Sequence, residues 1–325
     1  MYTTRYIEVV RSQIKRLSSM SSESALAIVA SLSKQYDNVV LTEVNTVDDL
    51  NALIERKPDL VFLGVMYVLD DQGNKVWVSD QLEAASIPHT GSPRSSHELE
   101  LHKDQAKQRV INNGLASAPF RIVNVGQLYS EQEVGLEFPL FVKPLSGGGG
   151  SGVDEFSVVR NLDQLNSKIA SLHTNNKVNI LIEQYLEGRE FSVAILRKKE
   201  SDTLIAMPLE LIAPKDDNGD RMLSNRVKSS NEERAIRVND SSEKAMVSDF
   251  AIKVFKVLGA RDYGRIDIRL DAHGAPHFLE ANLIPSLISG YGSFPKASLI
   301  NEGLEYDEMI DIIAQLGFSR SPALV

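Results

Sequence analysis

In the first 90 residues, segments with apolar residues at helical spacing alternate with short, almost wholly apolar runs. Apolar residues at helical spacing predict a helix that opens at residues 21–23 and buries Leu26, Val29, Ala30 and Leu32. Short, almost wholly apolar runs are typical of buried strands. The elements that follow are predicted as a strand at 38–44, a helix at 47–56, a strand at 60–65 and a helix near 79–86. Alternation of this kind favours a parallel sheet flanked by helices.

A second region follows residues 89–93, which have the composition of a linker and mark a first boundary. The pattern predicts one long amphipathic helix from residue 97 to about residue 111, ended by Asn113-Gly114. Its basic side would carry Lys103, Lys107 and Arg109. Taken singly, each of these is more often a solvated surface residue than a phosphate ligand.

Residues 138–160 are predicted to form two strands around the glycine-rich loop Ser-Gly-Gly-Gly-Gly-Ser-Gly. The spacing G-x-G-x-x-G is met by Gly147, Gly149 and Gly152, but it indicates a dinucleotide site only where a helix follows. Because a strand follows here, a Rossmann dehydrogenase is rejected. A glycine-rich hairpin tip can instead close backbone N–H groups over phosphates, and Lys143 would add a positive charge. The alternative is a floppy surface hairpin, which the ordering entropy of four adjacent glycines disfavours.

The next predicted strand, 178–183, runs into Glu-Gln-Tyr-Leu at positions 183–186. A chain that leaves a strand can present backbone groups to an adenine edge between apolar neighbours. Glu190, which opens the following strand, is placed to accept ribose hydroxyl groups. By itself, the segment would be only an acidic loop between two strands.

The remaining pattern predicts a strand at 203–212, a helix at 242–258 and a final helix at 306–316. Between the first two lies a polar, partly basic stretch, 214–240, that is long for a loop. A lid and a disordered loop are equally good interpretations of it, and only a lid would carry cations that stabilise phosphate.

A hairpin is predicted from strands at 263–270 and 276–283, joined by the turn 272–275. Alternation places one set of polar side chains on a single face of the first strand, namely Arg265, Asp267 and Arg269. The corresponding face of the second strand holds Phe278, Glu280 and Asn282. A four-residue loop would pair Leu270 with His277, Asp267 with Glu280, and Arg265 with Asn282.

Two carboxylates that face each other across a ladder, roughly 5 Å apart, repel one another. The arrangement makes sense if a hard divalent cation lies between them, since Mg²⁺ prefers oxygen ligands from Asp, Glu and Asn. The alternative is the solvated polar face of an edge hairpin. The nucleotide-like features elsewhere in the chain favour the metal.

Length, composition and net charge narrow the class of protein to which the chain can belong. A chain of 325 residues with 42% hydrophobic content can bury a large core and divides into two or three domains. Without cysteine there is no disulfide, thiolate nucleophile or cysteine metal site. A net charge of −9 disfavours nucleic-acid binding. No apolar run approaches the roughly 20 residues of a membrane span, and no signal-peptide core is present, so a cytoplasmic location is expected.

Several motifs occur in the order and spacing of a known superfamily: His-Thr-Gly-Ser with His-Lys-Asp-Gln-Ala-Lys, Phe-Val-Lys-Pro, the glycine-rich loop, Ile-Glu-Gln-Tyr-Leu-Glu-Gly-Arg-Glu, and the hairpin ending His-Phe-Leu-Glu-Ala-Asn. From about residue 90 to 316 the chain resembles the ATP-grasp superfamily and, within it, the D-alanine–D-alanine ligases. The resemblance implies an α/β (α+β) protein of ATP-grasp fold. Three domains are expected, at residues 1–92, 93–186 and 187–325, with nucleotide held between the central and C-terminal domains.

The resemblance also implies roles for particular residues. Phosphate contacts are expected from Lys103 and Lys143, and a phosphate lid from Gly148, Gly149, Gly150 and Ser151. The adenine segment would be Glu183, Gln184, Tyr185 and Leu186, with Glu190 at the ribose. Two Mg²⁺ ions, or Mn²⁺, would be bound by Asp267, Glu280 and Asn282. Catalytic roles are expected for Arg265, Ser151 and Lys228.

The chain departs from the family where the family binds amino acids. The early glycine-rich stretch, with its glutamate for the first amino acid's ammonium group, is not recognisable, and Glu23 is a weak substitute. The family has Pro-Gly after the asparagine, whereas this chain has Pro285-Ser286 and then a loop at 290–293.

The implied function is an ADP-forming carboxylate–amine ligase that uses ATP and passes through an acyl phosphate. Its partners would be amino-acid or amine substrates, without nucleic acid or membrane, and a homodimer is expected by family analogy alone. The alternative is an ATP-binding regulatory or scaffold protein of the same fold without turnover.

Overall fold

The computed structural model describes residues 3–14, 17, 20–130, 133, 135–146, 152–176, 178–199, 201–216, 219–230 and 232–320. Side chains are described at all of these positions except 3, 175, 176, 228 and 229.

The N-terminal part is a three-stranded parallel sheet with helices packed against it, as predicted. The strand order is β2-β1-β3, and both neighbours run parallel to β1. The strands are β1 (Thr3–Arg11), β2 (Tyr36–Glu43) and β3 (Leu60–Leu63). The helices are α1 (Ser22–Leu32), α2 (Val47–Arg56) and α3 (Val78–Ala84), and α3 follows the short hairpin β4 (Tyr67–Leu69) and β5 (Lys75–Trp77).

Local sequence explains where these helices begin. The side chain of Ser21 caps α1 by accepting a hydrogen bond from the Ser24 N–H group. Thr46 and Asp49 form a reciprocal capping box at the start of α2. The predicted buried face of α1 is only partly right, because Leu32 is buried and Val29 packs against the core, whereas Leu26 and Ala30 are exposed. Leu26 is 55% exposed, and the helix turns Ala25 and Ile28 inward, together with small serines.

A four-stranded antiparallel sheet of order β6-β9-β7-β8 occupies the middle of the chain. Its strands are β6 (Phe120–Val123), β7 (Leu140–Pro144), β8 (Val158–Val159) and β9 (Ile180–Gln184). One helix, α6 (Leu162–Asn176), packs on it through Leu165, Ile169 and Leu172.

The long helix predicted at 97–111 is two helices in the structure, α4 (Arg94–Leu101) and α5 (Lys103–Asn112). The break falls at His102, whose backbone leaves helical geometry with φ −114° and ψ 82°. Lys103 therefore opens a new helix, and the direction of its side chain is set by that break.

The third sheet is antiparallel, with five strands in the order β12-β11-β10-β13-β14. The strands are β10 (Glu190–Arg197), β11 (Leu204–Ile212), β12 (Arg234–Arg237), β13 (Tyr263–Leu270) and β14 (Pro276–Asn282). The prediction that 214–240 is one long loop is wrong, because this stretch contains both β12 and the short helix α7 (Asn225–Ser229). A further helix, α8 (Ser241–Val257), packs together with α5 on one face of the sheet.

The predicted hairpin is confirmed with one change of register. Asp267 lies opposite Glu280 and Arg265 opposite Asn282, as predicted. The register then shifts, so that Ile268 lies opposite Phe278 and Leu270 opposite Pro276 rather than His277. A bulge at Leu279 accommodates the extra residue. It places Phe278 in the core with the apolar face of β13, so Phe278 does not share a face with Glu280 as predicted.

The hairpin is joined to the segment that precedes the middle sheet. The Phe278 N–H group donates to the Ala116 carbonyl at 2.9 Å, and the Ser117 hydroxyl donates to the Phe278 carbonyl at 2.9 Å. Because Ser117 and Phe278 form a parallel bridge, the middle and third sheets meet at this point.

The C-terminal helices close the molecule. These are α9 (Ser293–Glu302) and α10 (Tyr306–Phe318), of which α9 was not predicted. Helix α10 returns to the first sheet and buries Met309, Ile310 and Ile313 in one cluster with Ile7 and Phe62.

Beyond α10, Arg320 pairs with the fully buried carboxylate of Asp262 at 2.6 Å. Asp262 also accepts the Gly91 N–H group at 3.0 Å and has φ 63°. None of the helices in the described ranges has both the length and the apolar character that a membrane crossing needs. The predicted domain boundaries at 92 and 186 stay predictions.

Candidate active site

A large cavity of about 1980 Å³ is lined by residues of the middle and third sheets and of the β4–β5 hairpin. The polar face of β13 and β14 lines it, as do the end of β9 and the start of β10. Helices contribute Lys103 from α5 and Ser293 from α9. The cavity therefore brings together most of the residues that the sequence singled out.

Three side chains of β13 point into the cavity in a row. Alternate residues of a strand lie roughly 6.7 Å apart, so Arg265, Asp267 and Arg269 sample successive positions along its length. All three line the cavity, while the residues between them are buried in the core behind. Arg265 and Arg269 therefore mark the two ends of the row, with Asp267 between them.

Asp267 is at the centre of this row and is held from several sides. Arg265 binds it with two hydrogen bonds, each 2.9 Å long, from Nε and Nη2. Ser192 on β10 donates its hydroxyl at 2.9 Å, and the Asn282 amide donates at 3.3 Å. The strong opposing charge of Asp267, acting against burial, raises the pKa of Arg265. Arg265 is therefore a fixed cation at this place.

The donor set at the hairpin fits a hard divalent cation. Asp267 and Glu280 are cross-strand neighbours, and Asn282 belongs to the next pair of the same face. Each Asp267 oxygen accepts two hydrogen bonds here, so a metal would have to displace one donor, of which the Asn282 amide at 3.3 Å is the most distant. Among the described residues no group of three or more His, Cys, Asp or Glu side chains could hold a metal ion. Two carboxylates and an amide instead suit an ion whose other ligands come from phosphate and water.

The buried side chains of Lys107, Lys143 and Glu183 form a cluster of ion pairs. Lys143 approaches the Glu183 carboxylate at 2.6 Å, and Lys107 approaches its other oxygen at 2.8 Å. Burial would raise the pKa of Glu183, but the charges of Lys107 and Lys143 outweigh it and lower that pKa to about 2. Burial opposes the charged form of Lys143 too, yet the facing carboxylates raise its pKa. The Glu183 side chain is thus committed to two lysines.

Lys103 reaches the cavity from the first turn of α5. Its ammonium group lies 3.5 Å from Glu280, which connects the predicted phosphate lysine to the predicted metal ligand. Burial lowers the pKa of Lys103, and the charge of Glu280 partly opposes that shift. An anion in the cavity would favour its protonated form.

The predicted adenine segment lies at the end of the cavity marked by Arg269. Tyr185 and Leu186 are nearly buried, and the Phe141 ring stacks on Tyr185 with 6.4 Å between centroids. The N–H groups of Gln184 and Tyr185 already bond to the carbonyls of Pro119 and Pro139. Among described residues the Leu186 N–H group has no such bond, which leaves it available to a planar base.

Arg269 fixes this end of the cavity. Its guanidinium donates to the Tyr185 hydroxyl at 3.0 Å and to the Glu190 carboxylate at 3.2 Å. It also donates to the Arg221 carbonyl at 3.1 Å, which ties Arg221 to the adenine segment.

The opposite end lies beyond Arg265, which donates to the Ser293 hydroxyl at 3.2 Å. Here the N-terminal part contributes Leu17, Met66 and, from the β4–β5 hairpin, Tyr67 and Lys75 to the lining. The Lys75 ammonium group lies 4.8 Å from the Tyr67 ring centroid. Glu23 is exposed on the first turn of α1 and does not line the cavity.

Some predicted site residues fall outside the described part of the chain. These are Gly148, Gly149, Gly150 and Ser151 of the glycine-rich loop. Lys228 belongs to α7, but its side chain is not described. The roles of these five residues remain predictions.

A family profile described as "D-ala D-ala ligase C-terminus" matches residues 110–315, well over half of the chain. The chain belongs to this family. The predicted ATP-grasp fold, the resemblance to D-alanine–D-alanine ligases and the enzyme class, a ligase that forms carbon–nitrogen bonds, are confirmed.

Individual relatives are similar over most of their length. The D-alanine--D-alanine ligase of Aquifex aeolicus (strain VF5) is 28% identical over 262 residues, which cover 80% of this chain and 83% of that protein. The D-alanine--D-alanine ligase of Desulforudis audaxviator (strain MP104C) is 25% identical over 326 residues, which cover 97% and 99%. A crystal structure of D-alanine--D-alanine ligase from Bacillus anthracis complexed with ATP has a TM-score of 0.75 at 20% identity and covers 98% of both chains. That likeness shows a shared fold.

Sequence reasoning missed several residues that line the cavity of this family member or support its lining from behind. Ser192 supports Asp267, Ser293 supports Arg265, and Lys107 supports Glu183. Leu279 lines the cavity only because the bulge turns it there. The one available signal was Lys107, which the sequence pattern placed on the basic side of a helix.

Proposed function

We propose that this chain is an ATP-dependent, ADP-forming ligase that joins a carboxylate to an amine through an acyl phosphate. The observation that carries the proposal is the row Arg265–Asp267–Arg269 facing Lys103 and Lys143 in one cavity. A nucleotide laid along this row would place its base at Tyr185 and Leu186. Its terminal phosphate would then lie near Asp267, next to Arg265.

In the first step a substrate carboxylate oxygen attacks the γ-phosphorus of ATP, and ADP leaves. The side chains bind and orient the reactants for this displacement, in which positioning and electrostatic stabilisation supply most of the catalysis. Lys103 and Lys143 neutralise phosphate charge. The Glu183 carboxylate holds the Lys143 ammonium group in place.

In the second step the amine nitrogen attacks the acyl carbon, the carbon–oxygen bond to phosphate breaks, and an amide and inorganic phosphate are formed. The guanidinium of Arg265 lies where negative charge develops on the acyl oxygen and would stabilise it. Its two bonds to Asp267 and one to Ser293 keep it in a single orientation. Exclusion of water protects the acyl phosphate, and the glycine-rich loop and the 214–240 segment are the proposed covers.

Mg²⁺ is proposed at Asp267, Glu280 and Asn282, where it would act as a Lewis acid on the phosphate oxygens. Two ions are expected from the family resemblance, and Mn²⁺ would fit the same oxygen donors.

The proposed acids include amino acids but are not limited to D-alanine. The end of the cavity beyond Arg265 has apolar walls at Leu17 and Met66 and a cation at Lys75. An aliphatic or aromatic acid, or one with an additional anionic group, is therefore included beside D-alanine in the proposed substrate range. A cytoplasmic location and a homodimer remain proposals by family analogy.

A phosphate-release assay with ATP, Mg²⁺ and a panel of acids and amines tests the proposal. Phosphate should appear only when both an acid and an amine are present, and an amide product should form in equal amount. Asp267→Asn should abolish release, whereas Asp249→Asn on the exposed face of α8 should not change it. Tight ATP binding without turnover across the whole panel would favour the regulatory or scaffold alternative.

A further inference from the structure

We propose that Lys107 is a positioning residue that gives the phosphate-binding wall its net positive charge. The inference rests on the proposed function, because it concerns the phosphates of the bound nucleotide. Lys107 does not line the cavity and would not contact the nucleotide. It acts through Glu183 on Lys143.

The geometry of the cluster is closed on every side. Lys107 is fully buried, and its ammonium group approaches Glu183 at 2.8 Å. The same group donates to the Ser117 hydroxyl at 3.1 Å and to the Phe278 carbonyl at 3.2 Å. Three donor directions of the ammonium group are thereby used.

The sum of charges gives Lys107 its role. Lys143 and Glu183 alone form a neutral pair, since one positive charge at 2.6 Å cancels one negative charge. A neutral pair attracts a phosphate only weakly. Burial lowers the pKa of Lys107, and the charge of Glu183 opposes that shift. As an ammonium ion, Lys107 adds a second positive charge on the far side of Glu183, so the three groups together carry one net positive charge toward the cavity. The low pKa of Glu183 agrees with two cations acting on one carboxylate.

The arrangement separates two tasks that a lone lysine would have to combine. Glu183 fixes the position of the Lys143 ammonium group, which a flexible four-carbon side chain would not maintain by itself. Lys107 then cancels the charge that Glu183 introduces. The wall is both rigid and positive because the two lysines share one carboxylate.

A nucleotide series tests this inference. Dissociation constants for adenosine, AMP, ADP and ATP are measured with the purified full-length wild-type chain and with Lys107→Met. We expect Lys107→Met to weaken ATP binding by about 10-fold to 100-fold, from one lost charge in a partly buried site. Adenosine binding should change by less than about two-fold, and the loss should grow with the number of phosphates.

The charge-balanced variant Lys107→Met/Glu183→Gln distinguishes electrostatics from packing. It removes one positive and one negative charge together, so the cluster keeps the net charge of +1 that it has in wild type, now carried by Lys143 alone. Its preference for ATP over adenosine should return to the wild-type value, whether or not Lys107→Met alone folds. Gln108→Met, on the exposed side of the same helix, is the control.

Two results would overturn the inference. One is an equal loss of adenosine and ATP binding in Lys107→Met. The other is a double variant that folds yet fails to recover the preference for ATP. If the wild-type chain itself does not prefer ATP to adenosine, the proposed function fails as well, which separates that failure from the failure of the Lys107 inference alone.

Discussion

Arg265 and Arg269 are two residues apart on one strand, yet their surroundings differ. Arg265 is bound by Asp267 and Ser293 beside the proposed reaction centre. Arg269 is bound by Tyr185 and Glu190 at the proposed base and ribose end. Identical side chains on the same face can therefore serve the chemical step and nucleotide binding separately.

Arg265→Lys should lower kcat by about 10²-fold, because an ammonium group cannot reproduce the planar, two-pronged contact with Asp267. Arg269→Lys should raise the KM for ATP and leave kcat nearly unchanged. Steady-state kinetics of amide formation for both variants check this division. An unchanged kcat in Arg265→Lys would remove Arg265 from the chemical step.

The ionisation of Glu183 leads to a second prediction at the scale of a residue, which concerns how the stability of the fold depends on pH. Its pKa is lowered from 4.5 to about 2 by Lys107 and Lys143, although burial opposes the shift. A group whose pKa is lower in the folded state stabilises the fold above its unfolded pKa, and that contribution is lost as pH falls toward the folded pKa.

Glu183→Gln should therefore be less stable than wild type near neutral pH, by about 3 kcal/mol at most. The difference should shrink as pH falls from 4.5 toward 2, since Glu183 of the unfolded chain takes up a proton in this range while folded Glu183 stays ionised. Urea unfolding of both proteins over this range measures it. A difference that does not depend on pH would mean that Glu183 is not ionised in the fold.

At the scale of elements, the sequence predicted most strands and helices because their periodicity is local. Helix α2 and strand β10 begin where the polar and apolar pattern places them. The pattern could not show the break at His102 or the bulge at Leu279, because neither is marked by glycine or proline. The bulge is held by hydrogen bonds between Phe278 and residues 116–117, and both irregularities aim site residues.

The candidate site was predictable to a similar extent. Cross-strand neighbours such as Asp267 and Glu280 follow from alternation and turn length alone. The partnership of Lys107 with Glu183 joins α5 to β9, and no local pattern reports a contact between segments so far apart in sequence. For the same reason α9 and β1 were missed, since their burial depends on neighbours from distant parts of the chain.

Gly188 connects the adenine segment to β10 and leaves no space for a side chain. An added Cβ would lie 2.5 Å from the Leu270 carbonyl oxygen, which is backbone and cannot turn aside. Gly188→Ala should cost about 1–3 kcal/mol of stability and raise the KM for ATP, because Glu190 and Tyr185 would shift. Thermal unfolding and ATP kinetics measure the two effects. Glu187→Ala, at the exposed neighbouring position, should change neither, and equal behaviour of the two variants would contradict the prediction.

At the scale of the whole molecule, the two ends of the chain depend on each other. Helix α10 completes the core of the first sheet, and Arg320 behind it binds Asp262. The sequence predicted the helix but not its destination, since an amphipathic face does not specify which sheet it covers.

Asp262→Asn should lower the free energy of unfolding by about 3–5 kcal/mol, because Arg320 would lose its buried partner. Asparagine tolerates the positive φ of this position, so the change isolates the charge. Chemical denaturation compares the variant with Asp202→Asn, whose exposed carboxylate also pairs with an arginine. Equal midpoints for the two variants would show that the Asp262 charge contributes nothing.

The bridge between Ser117 and Phe278 has a consequence for motion. It joins the middle and third sheets through one backbone hydrogen bond and one from the Ser117 hydroxyl, beside the buried Lys107. If the middle and third sheets move apart to admit a ligand, they must rotate about this bridge or break its hydrogen bonds. The amide proton of Phe278 should accordingly exchange with deuterated solvent more slowly than the amide protons at the rim of the cavity. Bound nucleotide should slow exchange at the rim and leave exchange at Phe278 unchanged.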